Sequence, residues 1–228
     1  MYIPHRKGAI VKHLALFDMD GLLFDTERLF LSMTKETEAE IGYEIPYELH
    51  LQAIGRSFAD VAELFHGYFG PDFPTETFFR RTKERVNCHV RERGMPLKAG
   101  VPELLKALER RGVRRVLASS SPLWLIRDSL SAAAMEDTFD EVTGGDEVER
   151  GKPAPDIFLL AARRAKTAQE ACLVLEDSNN GIRAAYAAGM RAVMVPDIKE
   201  PEEEVRRMAF GIYTDLHNVC EDLQRVLA

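Results

Sequence analysis

The stretch His13-Leu14-Ala15-Leu16-Phe17-Asp18-Met19-Asp20-Gly21 decides how the rest of the chain is read. Its apolar run is short and carries no polar alternation, so it predicts a strand covered on both faces, as in a parallel sheet. Asp18 and Asp20 are two residues apart, and on an extended strand end that spacing turns both side chains to one face. Gly21 then permits a sharp turn or a close backbone approach. A strand that ends in two acids and a glycine is built to present carboxylates at a sheet edge.

Further runs of this kind follow at Val113–Ser119, Ala171–Asp177, Arg191–Pro196 and Gly211–Thr214, bounded by Gly, Ser, Pro or Asp. Helical patterns lie between them. Val101, Leu104, Leu105 and Leu108 mark one helix, closed by Gly112. Ser121-Pro122 predicts another, with Ser121 as N-cap and Pro122 in the first turn. Pro155 opens a third through Ile157, Leu160 and Ala161, and Ile182, Ala185 and Tyr186 mark a fourth that ends at Gly189. Strand–helix alternation from about residue 98 onward is the doubly wound α/β signature. Residues 29–95 break this rhythm. They hold no convincing strand, Phe58, Val61, Ala62, Phe65, Tyr68 and Phe69 recur at helical spacing, and Ser57-x-x-Asp60 resembles a capping box. The expected architecture is an α/β, Rossmann-like parallel-sheet core formed by residues 1–28 and 96–228, with an α-helical cap subdomain inserted over 29–95.

In an open parallel sheet, ligands bind beyond the carboxyl ends of the strands. Those ends carry Asp18 and Asp20, then Ser119-Ser120-Ser121, then Glu176-Asp177-Ser178. Crowded carboxylates repel unless a cation holds them. Oxygen donors without His or Cys suit a hard ion such as Mg²⁺ rather than zinc. Lys152, inside Gly151-Lys152-Pro153-Ala154-Pro155, adds a cation just before a helix start. Ser119 and the backbone N–H groups that follow it make a seat for an anionic phosphate.

Composition narrows the classes. The chain has 228 residues, with 30 Lys plus Arg against 37 Asp plus Glu, for a net charge of −7, which disfavours general nucleic-acid binding. Three scattered cysteines without a CxxC pair argue against a disulfide framework and fit a reducing, cytoplasmic setting. The apolar runs are far shorter than the ~20 residues that span a bilayer. The basic N-terminus is followed by no apolar stretch of signal-peptide length, so no signal peptide and no membrane association is expected. Trp124 and the stripe of Phe58, Phe65 and Phe69 are expected to pack in the interior. The six histidines are too scattered to form a ligand set.

Four segments together, Asp18-Met19-Asp20-Gly21-Leu22-Leu23-Phe24-Asp25-Thr26-Glu27, Leu117-Ala118-Ser119, Gly151-Lys152-Pro153 and Leu175-Glu176-Asp177-Ser178, resemble the motifs of the haloacid dehalogenase-like (HAD) superfamily, in the family's order. Within it the chain resembles the β-phosphoglucomutase-like and pseudouridine-5′-phosphatase-like phosphatase group, whose helical cap follows the first motif. The resemblance implies a phosphoric monoester hydrolase acting on a small phosphorylated metabolite, such as a sugar phosphate or nucleoside monophosphate. It further implies Asp18 as nucleophile and Asp20 as general acid and base. Mg²⁺ would be held by Asp18, the backbone carbonyl of Asp20 and Asp177, with Glu176 supporting it directly or through water. Ser119, Ser120 and Lys152 would hold the phosphoryl group, and Arg56 of the cap would contact substrate. A monomer or weak homo-oligomer is expected.

Dehalogenases of the superfamily generally lack the second aspartate, so Asp20 favours phosphate chemistry. Phosphosugar mutases carry a His about twelve positions after the nucleophile, where this chain has Phe30. Phosphonatases use a cap lysine as a Schiff base, and neither Lys35 nor Lys83 has such a context. A mutase, or a phosphate-ligand-binding protein on a retired enzyme fold, remains the alternative.

Overall fold

A computed structural model describes residues 14–54, 56 and 58–228. The cap-box residue Ser57, and His5 and His13, fall outside them. The chain forms two compact units, one from residues up to Phe24 together with Leu97–Ala228, and the other from Asp25–Pro96.

The first unit is built on six parallel strands: β1 (Leu14–Phe17), β2 (Arg114–Ala118), β3 (Glu141–Thr143), β4 (Cys172–Glu176), β5 (Arg191–Met194) and β6 (Gly211–Ile212). Their order across the sheet is β3-β2-β1-β4-β5-β6, so the strand that carries the two aspartates lies between β2 and β4. All four β1 residues are fully buried, which explains their unbroken apolar character. The unexpected strand is β3. It has three residues, Glu-Val-Thr, and sits at the sheet margin, so neither length nor apolarity marked it.

The register fixes what meets at the carboxyl edge. Phe17 of β1 pairs with Leu117 of β2 and Leu175 of β4. Asp18 therefore comes level with Ala118 and Glu176, with Ser119 and Asp177 one residue further on. The sheet is held from one side by Leu14, Leu16, Val116 and Val174 packed with Phe158 of one helix (Asp156–Arg164) and Ile182 and Ala185 of another (Asn179–Ala187). Each of these side chains other than Ala185 contributes about 1.5–3 kcal/mol by leaving water. The remaining helices of this unit include Val101–Arg110 and Leu123–Ala132. The helix at 123–132 is not capped as its sequence suggests. Pro122 occupies the cap position, and the Leu123 N–H donates to Asp146 Oδ1 at 3.0 Å, which leaves Ser121 available for another role. Trp124 on the same helix does not pack inside; it is 57% exposed.

The second unit is all helical: α1 (Thr26–Ile41), α2 (Tyr47–Ala53), α3 (Phe58–Phe69) and α4 (Thr75–Arg93). Its core gathers Ile45, Leu49, Val61, Phe65, Phe73 and Phe78. Phe65 meets Phe73 and Phe78 edge-on, with centroids 5.2 and 5.8 Å apart, the favoured aromatic geometry. Phe58 departs from the expected stripe and stays exposed at the start of α3. His50 is a satisfied interior histidine, its Nε2 2.9 Å from the buried carboxylate of Glu38. Among the described residues, no helix is long and apolar enough to cross a membrane.

Candidate active site

Three neighbouring strand ends supply the site. Asp18 follows β1, with its backbone N–H bonded to Leu175 O at 3.0 Å. Ser119 follows β2, is buried, and donates its N–H to Thr143 O at 3.2 Å. Glu176 closes β4 and Asp177 follows it. Hydrogen bonds between neighbouring strands thus hold these residues against the sheet before any side chain is considered.

Lys152 arrives from the loop before the helix at 156–164 and is buried among the acids. Its Nζ donates to Asp18 Oδ1, to Glu176 Oε1 at 2.6 Å and to the Ala118 carbonyl at 3.3 Å. The ammonium also lies 4.9 Å from the Phe158 ring centroid. Burial alone would push Lys152 down, but the Asp18 and Glu176 carboxylates outweigh it and hold the lysine above its ordinary value. The ammonium is therefore a fixed positive charge. Glu176 is fully committed: its other oxygen accepts from the Ser178 N–H at 2.8 Å and the Ser178 hydroxyl at 2.9 Å. Ser178 in turn caps the helix at 179–187, accepting from the Gly181 N–H at 3.0 Å. A side chain at 181 would displace the Glu176 carboxylate, because a Cβ there would fall 1.8 Å from its carboxyl carbon.

Asp20 stands apart from this knot. Its Oδ2 accepts from the Ser121 hydroxyl at 3.0 Å, and the Ser121 N–H donates to Ser119 Oγ at 3.1 Å. Ser121 thus orients Asp20, a role its sequence position as a helix cap concealed. Ser120 lies between the two and is exposed.

Asp18, Glu176 and Asp177 each bring a carboxylate oxygen within 4.8 Å of the others. Such a group fits a hard divalent cation. It offers only oxygen, it holds three acids against one lysine, and its Asp177 packs against a glycine. Gly21 has φ +80°, and a Cβ there would come 2.4 Å from Asp177 Oδ2. The electrostatics agree. Burial, reinforced by Glu176 and Asp20 and opposed by Lys152, raises Asp18 to about 7. Burial and then the Glu176 and Asp18 charges push Asp177 well above the usual carboxylate range.

A raised folded-state pKa means that the folded form holds protons the unfolded form has released. That stability is present below the unfolded value near 3.8 and is lost as pH rises through about 7. The unfolding midpoint of protein kept in EDTA is accordingly expected to fall between pH 5 and pH 8. Thermal melts across that range check it, and a midpoint that climbs through the interval would show that these acids are not held together.

The structure brings together Asp18, Asp20, Ser119, Lys152, Glu176 and Asp177, all in the sheet unit. Arg56 belongs to the helical unit, where it is exposed and lines a cavity with Glu48, Gln52, Asp60 and Glu63.

A family model described as haloacid dehalogenase-like hydrolase matches residues 15–195. A Drosophila melanogaster protein named as a probable pseudouridine-5′-phosphatase is 36% identical over 197 residues, covering 83% of this chain and 84% of its own. Hexitol phosphatase B of Escherichia coli strain K12 is 32% identical over 186 residues, covering 80% and 82%. Among solved structures, CbbY from Rhodobacter sphaeroides in complex with phosphate is similar with a TM-score of 0.70 at 27% identity, covering 91% of this chain and 96% of that one.

Proposed function

Because this chain belongs to the haloacid dehalogenase-like hydrolase family, we propose that it is a Mg²⁺-dependent phosphatase that hydrolyses a small phosphate monoester through an aspartyl-phosphate on Asp18. The relatives named as a pseudouridine-5′-phosphatase and a hexitol phosphatase support a nucleoside monophosphate or a sugar phosphate as the substrate class. The observation that carries the reading is the pairing of Asp18 with a buried Lys152 inside a carboxylate group able to hold a cation.

Asp18 uses its free oxygen to attack phosphorus, and the bond from phosphorus to the substrate oxygen breaks. Lys152 keeps the attacking carboxylate aligned and offsets the charge on the phosphoryl oxygens. Ser119 and Ser120, with the N–H groups of their loop, receive those oxygens. Asp20, protonated at first, gives its proton to the departing oxygen. As a carboxylate it then takes a proton from the water that attacks the aspartyl-phosphate, which frees phosphate and restores Asp18. Ser121 holds Asp20 in line for both transfers. Asp18, Asp177 and the Asp20 carbonyl are the groups assigned to Mg²⁺, with Glu176 behind them. What the ion supplies when bound is neutralisation of the phosphoryl charge beside Asp18.

Residues 29–95 act in this reading as a cap that excludes bulk water and sorts leaving groups, with Arg56 as a substrate contact. Phe30 supports hydrolysis over mutase chemistry. It has no proton to exchange and stacks on Phe79 at 6.1 Å. The test is release of p-nitrophenol from p-nitrophenyl phosphate, with a panel of phosphorylated sugars and nucleosides beside it. Turnover is expected with Mg²⁺ and is expected to vanish in EDTA. A protein that binds phosphate yet turns over nothing in the panel would be a phosphate-binding relative instead.

A further inference from the structure

A second lysine–carboxylate pair lies behind the cation group. Asp197 follows β5, the strand beside β4, and its side chain is only 2% exposed. Lys98 Nζ donates to Asp197 Oδ1 at 2.5 Å. The two aspartates meet across Gly21: a Cβ on that glycine would lie 2.4 Å from Asp177 Oδ2 and 3.3 Å from Asp197 Oδ2. Lys98 is fixed by its backbone as well. Its N–H donates to Leu23 O at 2.9 Å, the preceding Leu97 bridges Phe24, and the Gly21 N–H donates to Phe24 O at 2.9 Å. Gly21, its turn, Lys98 and Asp197 therefore form one connected assembly against Asp177.

We infer that Lys98 and Asp197 are positioning residues that set the affinity of the Asp18–Asp177 centre for its divalent cation. Asp197 adds negative charge behind Asp177, and Lys98 holds that charge in place while partly cancelling it. The inference rests on the assignment of Asp18 and Asp177 as cation ligands. A carboxylate fixed behind a ligating one increases the negative field at the ion. The lysine acts in the opposite sense, because it places a positive charge near the same centre.

The two members therefore have effects of opposite sign. Calorimetric titration of MgCl₂ into EDTA-treated, dialysed protein measures them. Asp197→Asn is expected to weaken Mg²⁺ binding about tenfold. Lys98→Met is expected to tighten it by roughly threefold, whereas Lys98→Arg keeps the charge and the wild-type affinity. A pair that merely braces the fold would weaken binding in both Asp197→Asn and Lys98→Met, in step with a lower thermal midpoint. That result, or no shift beyond about twofold in either variant, overturns the inference. If Asp197→Asn does not fold, the contrast between Lys98→Met and Lys98→Arg decides alone. Wild-type protein that takes up no Mg²⁺ would overturn the cation assignment itself, whereas wild-type binding with indifferent variants overturns only the role of this pair.

Discussion

Asp18→Asn is expected to reduce phosphate release by roughly 10⁴-fold or more and to leave the protein folded. Asparagine keeps the shape of the side chain but supplies no oxygen nucleophile that can accept and release a phosphoryl group. The remaining groups, Lys152, Ser119 and the cation, would still bind substrate, so the loss falls on kcat rather than on KM. Stability moves differently. Burial and the Glu176 charge already disfavour the ionised form of Asp18, so a neutral side chain there relieves repulsion in cation-free protein. The thermal midpoint in EDTA at pH 8 is expected to match or exceed wild type. Steady-state kinetics beside thermal melts separate the two effects, and near wild-type turnover in this variant would remove Asp18 as nucleophile.

Lys152→Met is expected to damage both activity and stability. The ammonium touches Asp18, Glu176 and the Ala118 carbonyl from a position nearly closed to water. Its removal leaves the buried carboxylates of Asp18 and Glu176 facing each other without a counter-charge. Breaking a buried ion pair from one side destabilises by about 3–5 kcal/mol. Turnover is expected to fall by about 10²–10³-fold as well, the usual loss when a charge-stabilising donor is removed. Denaturant unfolding in EDTA reads the first effect, and p-nitrophenyl phosphate hydrolysis at saturating Mg²⁺ reads the second. A variant as stable as wild type would mean that Glu176 and Asp18 are neutral without their lysine. A variant as active would place the lysine outside the reaction.

Much of this site could be read from the chain because its parts sit where local rules are strongest. Asp18, Ser119 and Asp177 each follow a short apolar run, and a run of that kind predicts both a buried strand and the edge at which its next residue emerges. Lys152 was visible through the turn residues around it. The parts that escaped depend on distant partners. Ser121 resembles a helix cap, and only the fold shows that Asp146 takes that duty while Ser121 turns to Asp20. Lys98 and Asp197 are ordinary charged loop residues until the turn at Gly21 brings Asp197 beside Asp177. Strand β3 is hidden by its three-residue length and by the half-burial of Glu141 and Val142. Helical spacing points Phe58 inward with Phe65, and a helical position points Trp124 inward, yet both remain open to solvent.

The strand order has a consequence for synthesis. β1 precedes the other five strands of its sheet, and its two neighbours are encoded about 100 and about 160 residues later. Pairing of such distant segments carries a large loop-closure entropy and slows folding. The carboxylates therefore remain dispersed along the growing chain and converge only once β4 has been made. A ribosome-bound fragment that ends between residues 153 and 171 holds Asp18 and Lys152 but lacks Glu176 and Asp177, so the carboxylate group cannot assemble before β4 has been made.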